Sequence, residues 1–140
     1  MAERAHTRYV LDSYAVIAFF EGQAGGERVE SLLQQAEKGN CTLYMSVVNL
    51  GEILYTVERE RGIPVAQWTL ARLDELPIVI VEADRALTLA AAHIKARYPV
   101  AYADVFAAAL ARILCAPLLT GDPEFRAAGM DAIVPIINLN

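Results

Sequence analysis

Four acidic residues carry the chemistry this sequence offers: Asp12 in YVLDSYAVIAFF, Glu52 in SVVNLGEILY, Asp104 in YADVFAAALA and Asp122 in LLTGDPEF. Each lies within or beside an apolar stretch, where a strand ought to end or a helix to begin. Carboxylates are seldom buried unless they are paired, hydrogen-bonded or bound to a cation. Sent together to one rim of a small α/β domain, these four make an oxygen cage for a hard divalent ion. Mg²⁺ or Mn²⁺ suits such donors, whereas zinc would prefer histidine or cysteine. Held together without a cation they repel one another, so at least one should keep its proton to unusually high pH.

Each acid also has an ordinary explanation. Asp12 is a favoured residue type for capping the helix that follows it; the neighbouring Ser13 is an alternative cap that would free Asp12 for metal. Glu52 is about two turns into a helix, too deep to be a cap. It shares a face with Asn49 and Thr56 at i, i+3 and i+7 spacing, so a solvated polar stripe is its plain reading. Asp104 opens an apolar run and suits the positive end of a helix macrodipole. Asp122 precedes Pro123, and Asp-Pro makes a turn or a helix start by itself. What favours the metal reading is that all four acids fall at the same rim.

The elements that must position them alternate between strand-like and helix-like patterns, the mark of a parallel sheet with crossover helices. Strands are expected at residues 8–11, 42–45, 77–81 and 117–119, with an edge strand at 133–137. Helices are expected at about 13–20, from Gly25 and Gly26 to near Gly39, from a Ser46 cap to Gly62, and from Pro64 to about Leu76. Another runs from an Asp84 cap to about Arg97, and Pro99 breaks the chain before a helix at 102–114. That last helix is apolar nearly all round and should be buried. GDPEF turns into a short helix.

The totals agree with one compact domain over residues 1–140, of which 56% are hydrophobic. Near-continuous apolar strands account for that fraction. The run from Tyr9 to Phe20 is too short to cross a bilayer and is interrupted by Asp12. The first ten residues lack the apolar core of a signal peptide, so a cytoplasmic location is the default. Cys41 and Cys115 show no zinc-ligand spacing and are expected to be reduced and packed inside. The 12 basic and 17 acidic side chains give a net charge of −5; without the four carboxylates above, the balance is 12 against 13. Much of the acidity therefore belongs to the proposed site, and this is no polybasic nucleic-acid binder.

Taken in order, VLDSYAVIA, SVVNLGEILY, ADVFAAALA and LLTGDPEF resemble the motifs of a PIN domain, and specifically of VapC-type toxin ribonucleases from toxin–antitoxin pairs. The resemblance covers roughly residues 8 to 126. It implies a three-layer α/β/α sandwich around a mainly parallel sheet, and a Mg²⁺- or Mn²⁺-dependent endoribonuclease. Carried over residue by residue, it makes Asp12, Glu52, Asp104 and Asp122 the acidic cage. Thr120 matches the family's polar residue before the last acid, Ser13 follows the first, and Glu124 stands where many relatives carry aspartate. It further implies a VapB-type antitoxin partner, an RNA substrate and a toxin homodimer. Tyr55 and Trp68 are candidates for a partner surface, against ordinary core packing.

Other chemistries fit less well. The two histidines, His6 and His93, form no nucleophilic triad, and there is no GxxxxGK[ST] or GxGxxG phosphate loop. A haloacid-dehalogenase-type phosphatase would carry a second aspartate where Tyr14 stands. The rival from another class is a non-catalytic PIN-like module that binds RNA or protein without cutting.

Overall fold

The computed structural model describes residues 6–140. Its elements are β1 (Thr7–Leu11), α1 (Ser13–Glu21), α2 (Gly26–Glu37), β2 (Cys41–Ser46), α3 (Val47–Arg61), α4 (Ile63–Glu75), β3 (Ile78–Val81), α5 (Arg85–Lys95), α6 (Tyr102–Leu114), β4 (Leu118–Thr120), α7 (Glu124–Ala127), a 3-10 turn (Met130–Ala132) and β5 (Ile136–Asn138). The reading of the first ten residues as lacking a signal peptide lies, for residues 1–5, outside the described residues.

All four strand pairings are parallel, and the sheet order is β3-β2-β1-β4-β5. Strand side chains alternate between faces, and that alternation builds two cores. Val10 and Leu118, paired in register, join the core under α5 and α6; their neighbours Leu11 and Leu119 join the core under α1 to α4. The result is the α/β/α sandwich expected from the sequence. A sheet covered on both faces explains strands without a polar side. From Val105 to Ala111 the α6 helix is buried at every position, as its all-round apolarity requires.

The order of the strands matters most for function. The chain winds outward from β1 through β2 to β3, then crosses back to lay β4 against the other side of β1. The direction of winding therefore reverses between β1 and β4. In open α/β sheets, the crevice beyond the strand ends at such a reversal is where ligands bind. Asp12 follows β1 there, and Asp122 lies just beyond β4.

Three local expectations need correction. The edge strand is Ile136–Asn138, not 133–137, because Ile133 and Val134 donate to the Met130 carbonyl at 3.0 and 3.2 Å and so close the 3-10 turn; Pro135 has no N–H to give a ladder. Cys41 is buried, but Cys115 is exposed: it ends α6 in the left-handed conformation with φ 52°. Ser13 does not cap α1. Asp12 does, accepting from the Ala15 N–H at 2.8 Å.

Candidate active site

Beyond the strand ends lies a cleft lined by Asp12, Ser13, Glu52, Asp104, Asp122 and Glu124, with Tyr14, Ile17, Thr56 and Ala101 completing its walls. All four acids singled out in the sequence thus meet in one place. Among the described residues, no lysine, arginine or histidine lines it.

Asp12 is held hardest. It is 2% exposed, and its carboxylate takes hydrogen bonds from the Ala15 N–H and from Thr120. Burial pushes its pKa from 3.8 up to about 7, against those two hydrogen bonds and with the charges of Asp104 and Asp122 adding to the rise. The cap of α1 and the buried acid lining the cleft are therefore one and the same carboxylate.

Asp104 occupies the first turn of α6, whose start has no side-chain cap. It also rises from 3.8 to about 7, first through burial and then through the charges of Asp122, Glu52 and Glu124. A first-turn acid that only served the helix dipole would be solvated and lowered in pKa, the opposite direction. Glu52 is half-buried on α3, and Thr56 one turn on shares the cleft wall. Asn49, expected on the same polar stripe, is instead fully buried.

Asp122 is the second residue of the loop after β4. Its N–H donates to the Thr120 hydroxyl at 3.0 Å, and its Oδ1 accepts from the Glu124 N–H at 2.9 Å. Thr120 itself is buried and stands behind the cleft, hydrogen-bonded to Asp12 on one side and to Asp122 on the other. Carboxylate oxygens of Asp104, Asp122 and Glu124 lie within 4.8 Å of one another. Glu124, two residues after Asp122, reaches the same cleft because the Asp122 turn brings it there.

The donor set fits a hard divalent cation. Its side-chain donors are all oxygens, the acids come from well-separated segments of the chain, and two of the carboxyls are raised by burial first and by their acidic neighbours second.

A family model described as PIN domain matches residues 9–130. The chain belongs to the PIN domain family. Several solved structures superpose over most of its length. VapBC2 from Rickettsia felis, solved on a fragment of its promoter DNA, gives a TM-score of 0.74 at 17% identity, covering 96% of this chain and 100% of that one. The VapC20 toxin of Mycobacterium tuberculosis, described as cleaving the sarcin-ricin loop, gives 0.69 at 18% identity over 86% and 95%. VapBC-1 from nontypeable Haemophilus influenzae gives 0.68 at 19% over 95% and 98%. At these identities the likeness is one of fold. Comparison with curated proteins gives no match.

Proposed function

We propose that this PIN domain is the toxin of a VapBC-type toxin–antitoxin pair, a Mg²⁺- or Mn²⁺-dependent endoribonuclease acting in the cytoplasm. The observation that carries the reading is the convergence of Asp12, Glu52, Asp104 and Asp122 in one cleft that, among the described residues, holds no basic side chain. Those four acids hold the cation, with Glu124 beside Asp104 and Asp122 as a further oxygen donor. Held by these residues, a divalent ion would supply positive charge against the scissile phosphate and a more acidic bound water.

The chain's own residues prepare the site before substrate arrives. The Ala15 N–H and Thr120 fix Asp12, and the same Thr120 hydroxyl anchors the backbone at Asp122. These groups are locked by helix and strand termini, which is how a site keeps its geometry through turnover. The acidic walls repel a polyanion, so RNA binding depends on the cation more than on the protein's charge.

A protein partner agrees with the surface. Tyr55 and Trp68 are 54% and 57% exposed, and Ile63, Leu89 and Ile113 are exposed as well. An antitoxin of the VapB type and a second toxin copy are the partners this reading assigns to such apolar surface. Among the described residues, no helix is long and apolar enough to cross a membrane.

The deciding experiment is RNA cleavage by the purified protein with Mn²⁺, with Mg²⁺ and with EDTA, alongside calorimetric Mn²⁺ titration. Cleavage that needs the ion supports the nuclease. Cleavage undiminished in EDTA overturns the metal mechanism, and failure to bind Mn²⁺ at all favours a non-catalytic PIN-like module.

A further inference from the structure

Asn49 is fully buried in the first turn of α3, and its carboxamide links two other elements of the site. Its Nδ2 donates to the backbone carbonyl of Ala103 at 3.2 Å and to Ser13 Oγ at 3.3 Å. Ser13 Oγ in turn donates to the backbone carbonyl of Asn49 at 3.2 Å. The positions of these partners are informative. Ser13 directly follows Asp12 at the start of α1; Ala103 directly precedes Asp104 in the first turn of α6; and Glu52 lies one turn along α3 from Asn49 itself. One side chain thus ties together the elements that present three of the four acids, at the residue beside two of them.

The orientation of the amide is determined by chemistry. A backbone carbonyl only accepts, so the nitrogen must face Ala103. That leaves Asn49 Oδ1 buried with no hydrogen-bond partner among the described residues. An unpaired buried acceptor destabilises a fold. An apolar side chain of similar volume would remove that penalty and orphan nothing in exchange. The Ala103 carbonyl still takes part in the α6 ladder, and Ser13 Oγ still donates to the backbone carbonyl at position 49. Stability alone therefore does not explain an asparagine here.

We propose that Asn49 is a positioning residue: it sets the spacing of α1, α3 and α6 at which Asp12, Glu52 and Asp104 hold a divalent cation together. The inference rests on the metal-binding reading of the cleft, and its test keeps the two apart. Mn²⁺ is titrated by calorimetry, without RNA, into wild type, Asn49→Leu, Ser13→Ala and the double variant, and thermal unfolding of each is followed in EDTA. Wild type that binds no Mn²⁺ overturns the metal reading and this inference with it. With wild-type binding in hand, Asn49→Leu should unfold in EDTA at the wild-type temperature or above. Its Mn²⁺ affinity should fall on the order of 10-fold, the usual effect of losing an outer-shell partner. Ser13→Ala should lose less, and the double variant no more than Asn49→Leu, because both act through one link. Should Asn49→Leu fail to fold, Ser13→Ala decides by itself. Unchanged Mn²⁺ affinity in the variant that folds, or a loss matched by a lower unfolding temperature in EDTA, would show a merely structural role and overturn the proposal.

Discussion

Tyr14 lies so close across Gly121 that a Cβ at position 121 would fall 2.2 Å from its Cε1 and 2.8 Å from its Cδ1. The contact seats the loop that joins Thr120 at the end of β4 to Asp122 against the first turn of α1, two residues after Asp12. Asn140 closes the other side, its Nδ2 donating to the Gly121 carbonyl and, at 3.4 Å, to the Tyr14 hydroxyl.

Gly121→Ala should therefore lower stability by about 1–3 kcal/mol, the usual range for forced overpacking, and reduce cleavage by displacing Asp122. Tyr14→Ala in that background should recover part of the lost stability by making room. Urea unfolding of the single and double variants measures it; a Gly121→Ala protein as stable as wild type would show that the Tyr14 ring moves aside freely.

The raised carboxyls predict a pH dependence of stability in EDTA. Asp12 and Asp104 both go from 3.8 unfolded to about 7 folded, so the folded protein binds these protons more tightly. Their burial is harmless below about pH 4, where both states are protonated. It becomes progressively destabilising from there to about pH 7, and the penalty is complete above that. The stability gap between Asp104→Asn and wild type should thus be small near pH 4 and widest from pH 7 upward. A tenfold change in proton affinity is worth about 1.4 kcal/mol, which puts the full gap on the order of a few kcal/mol. Denaturant unfolding from pH 4 to 8 reads it, and a gap that narrows as pH rises contradicts the assigned protonation.

Neutral isosteres separate the acids by role. Asp12→Asn, Glu52→Gln and Asp104→Asn should each cut RNA cleavage by orders of magnitude while the protein stays folded. Apo stability should be equal or higher for Asp104→Asn, where repulsion from Asp122, Glu52 and Glu124 is relieved. Asp122→Asn keeps its turn to Glu124, since an amide oxygen accepts as well as a carboxylate, so its fold should also survive. Glu124→Gln should weaken Mn²⁺ binding less than Asp104→Asn does. Wild-type cleavage rates in Asp104→Asn would reduce that residue to a helix-start acid.

The ends of the RNA products report the mechanism. Ribonucleases that use the 2′-hydroxyl as nucleophile rely on general acid–base groups such as histidine. Here His6 is hydrogen-bonded to Thr42, His93 contacts Arg97, and neither lines the cleft. Attack by water with the 3′-oxygen leaving gives a 5′-phosphate and a 3′-hydroxyl, and a 2′-deoxy substitution at the cut should slow cleavage only modestly. Ligation that requires a 5′-phosphate maps these ends; a 2′,3′-cyclic phosphate would exclude hydrolysis by activated water.

Much of this protein is legible in its sequence because the signals are local. Apolar runs of strand length, Ser46 and Asp84 at helix starts, and glycine or proline at breaks marked the elements, since each is a property of a few adjacent residues. The acids after β1 and β4 were legible for the same reason. Where the signal was not local, the reading fell short. Asn49 shares a helical face with Glu52 and Thr56, yet it is buried because α6 crosses that end of the helix and Ala103 takes its amide. Cys115 is apolar in type but serves as the exposed end of α6.

Strand order was the decision of the tertiary structure alone. Periodicity says which face of its own element a residue occupies, but not which strands lie side by side; that depends on how apolar faces far apart in the chain bury one another. Only the placement of β4 against β1 brings Asp122 and Thr120 to Asp12. The same packing gives Asp12 and Asp104 their raised pKa values, because desolvation and repulsion come from neighbours that the chain supplies from distant segments. The sequence contains the acids, and long-range packing turns them into one site.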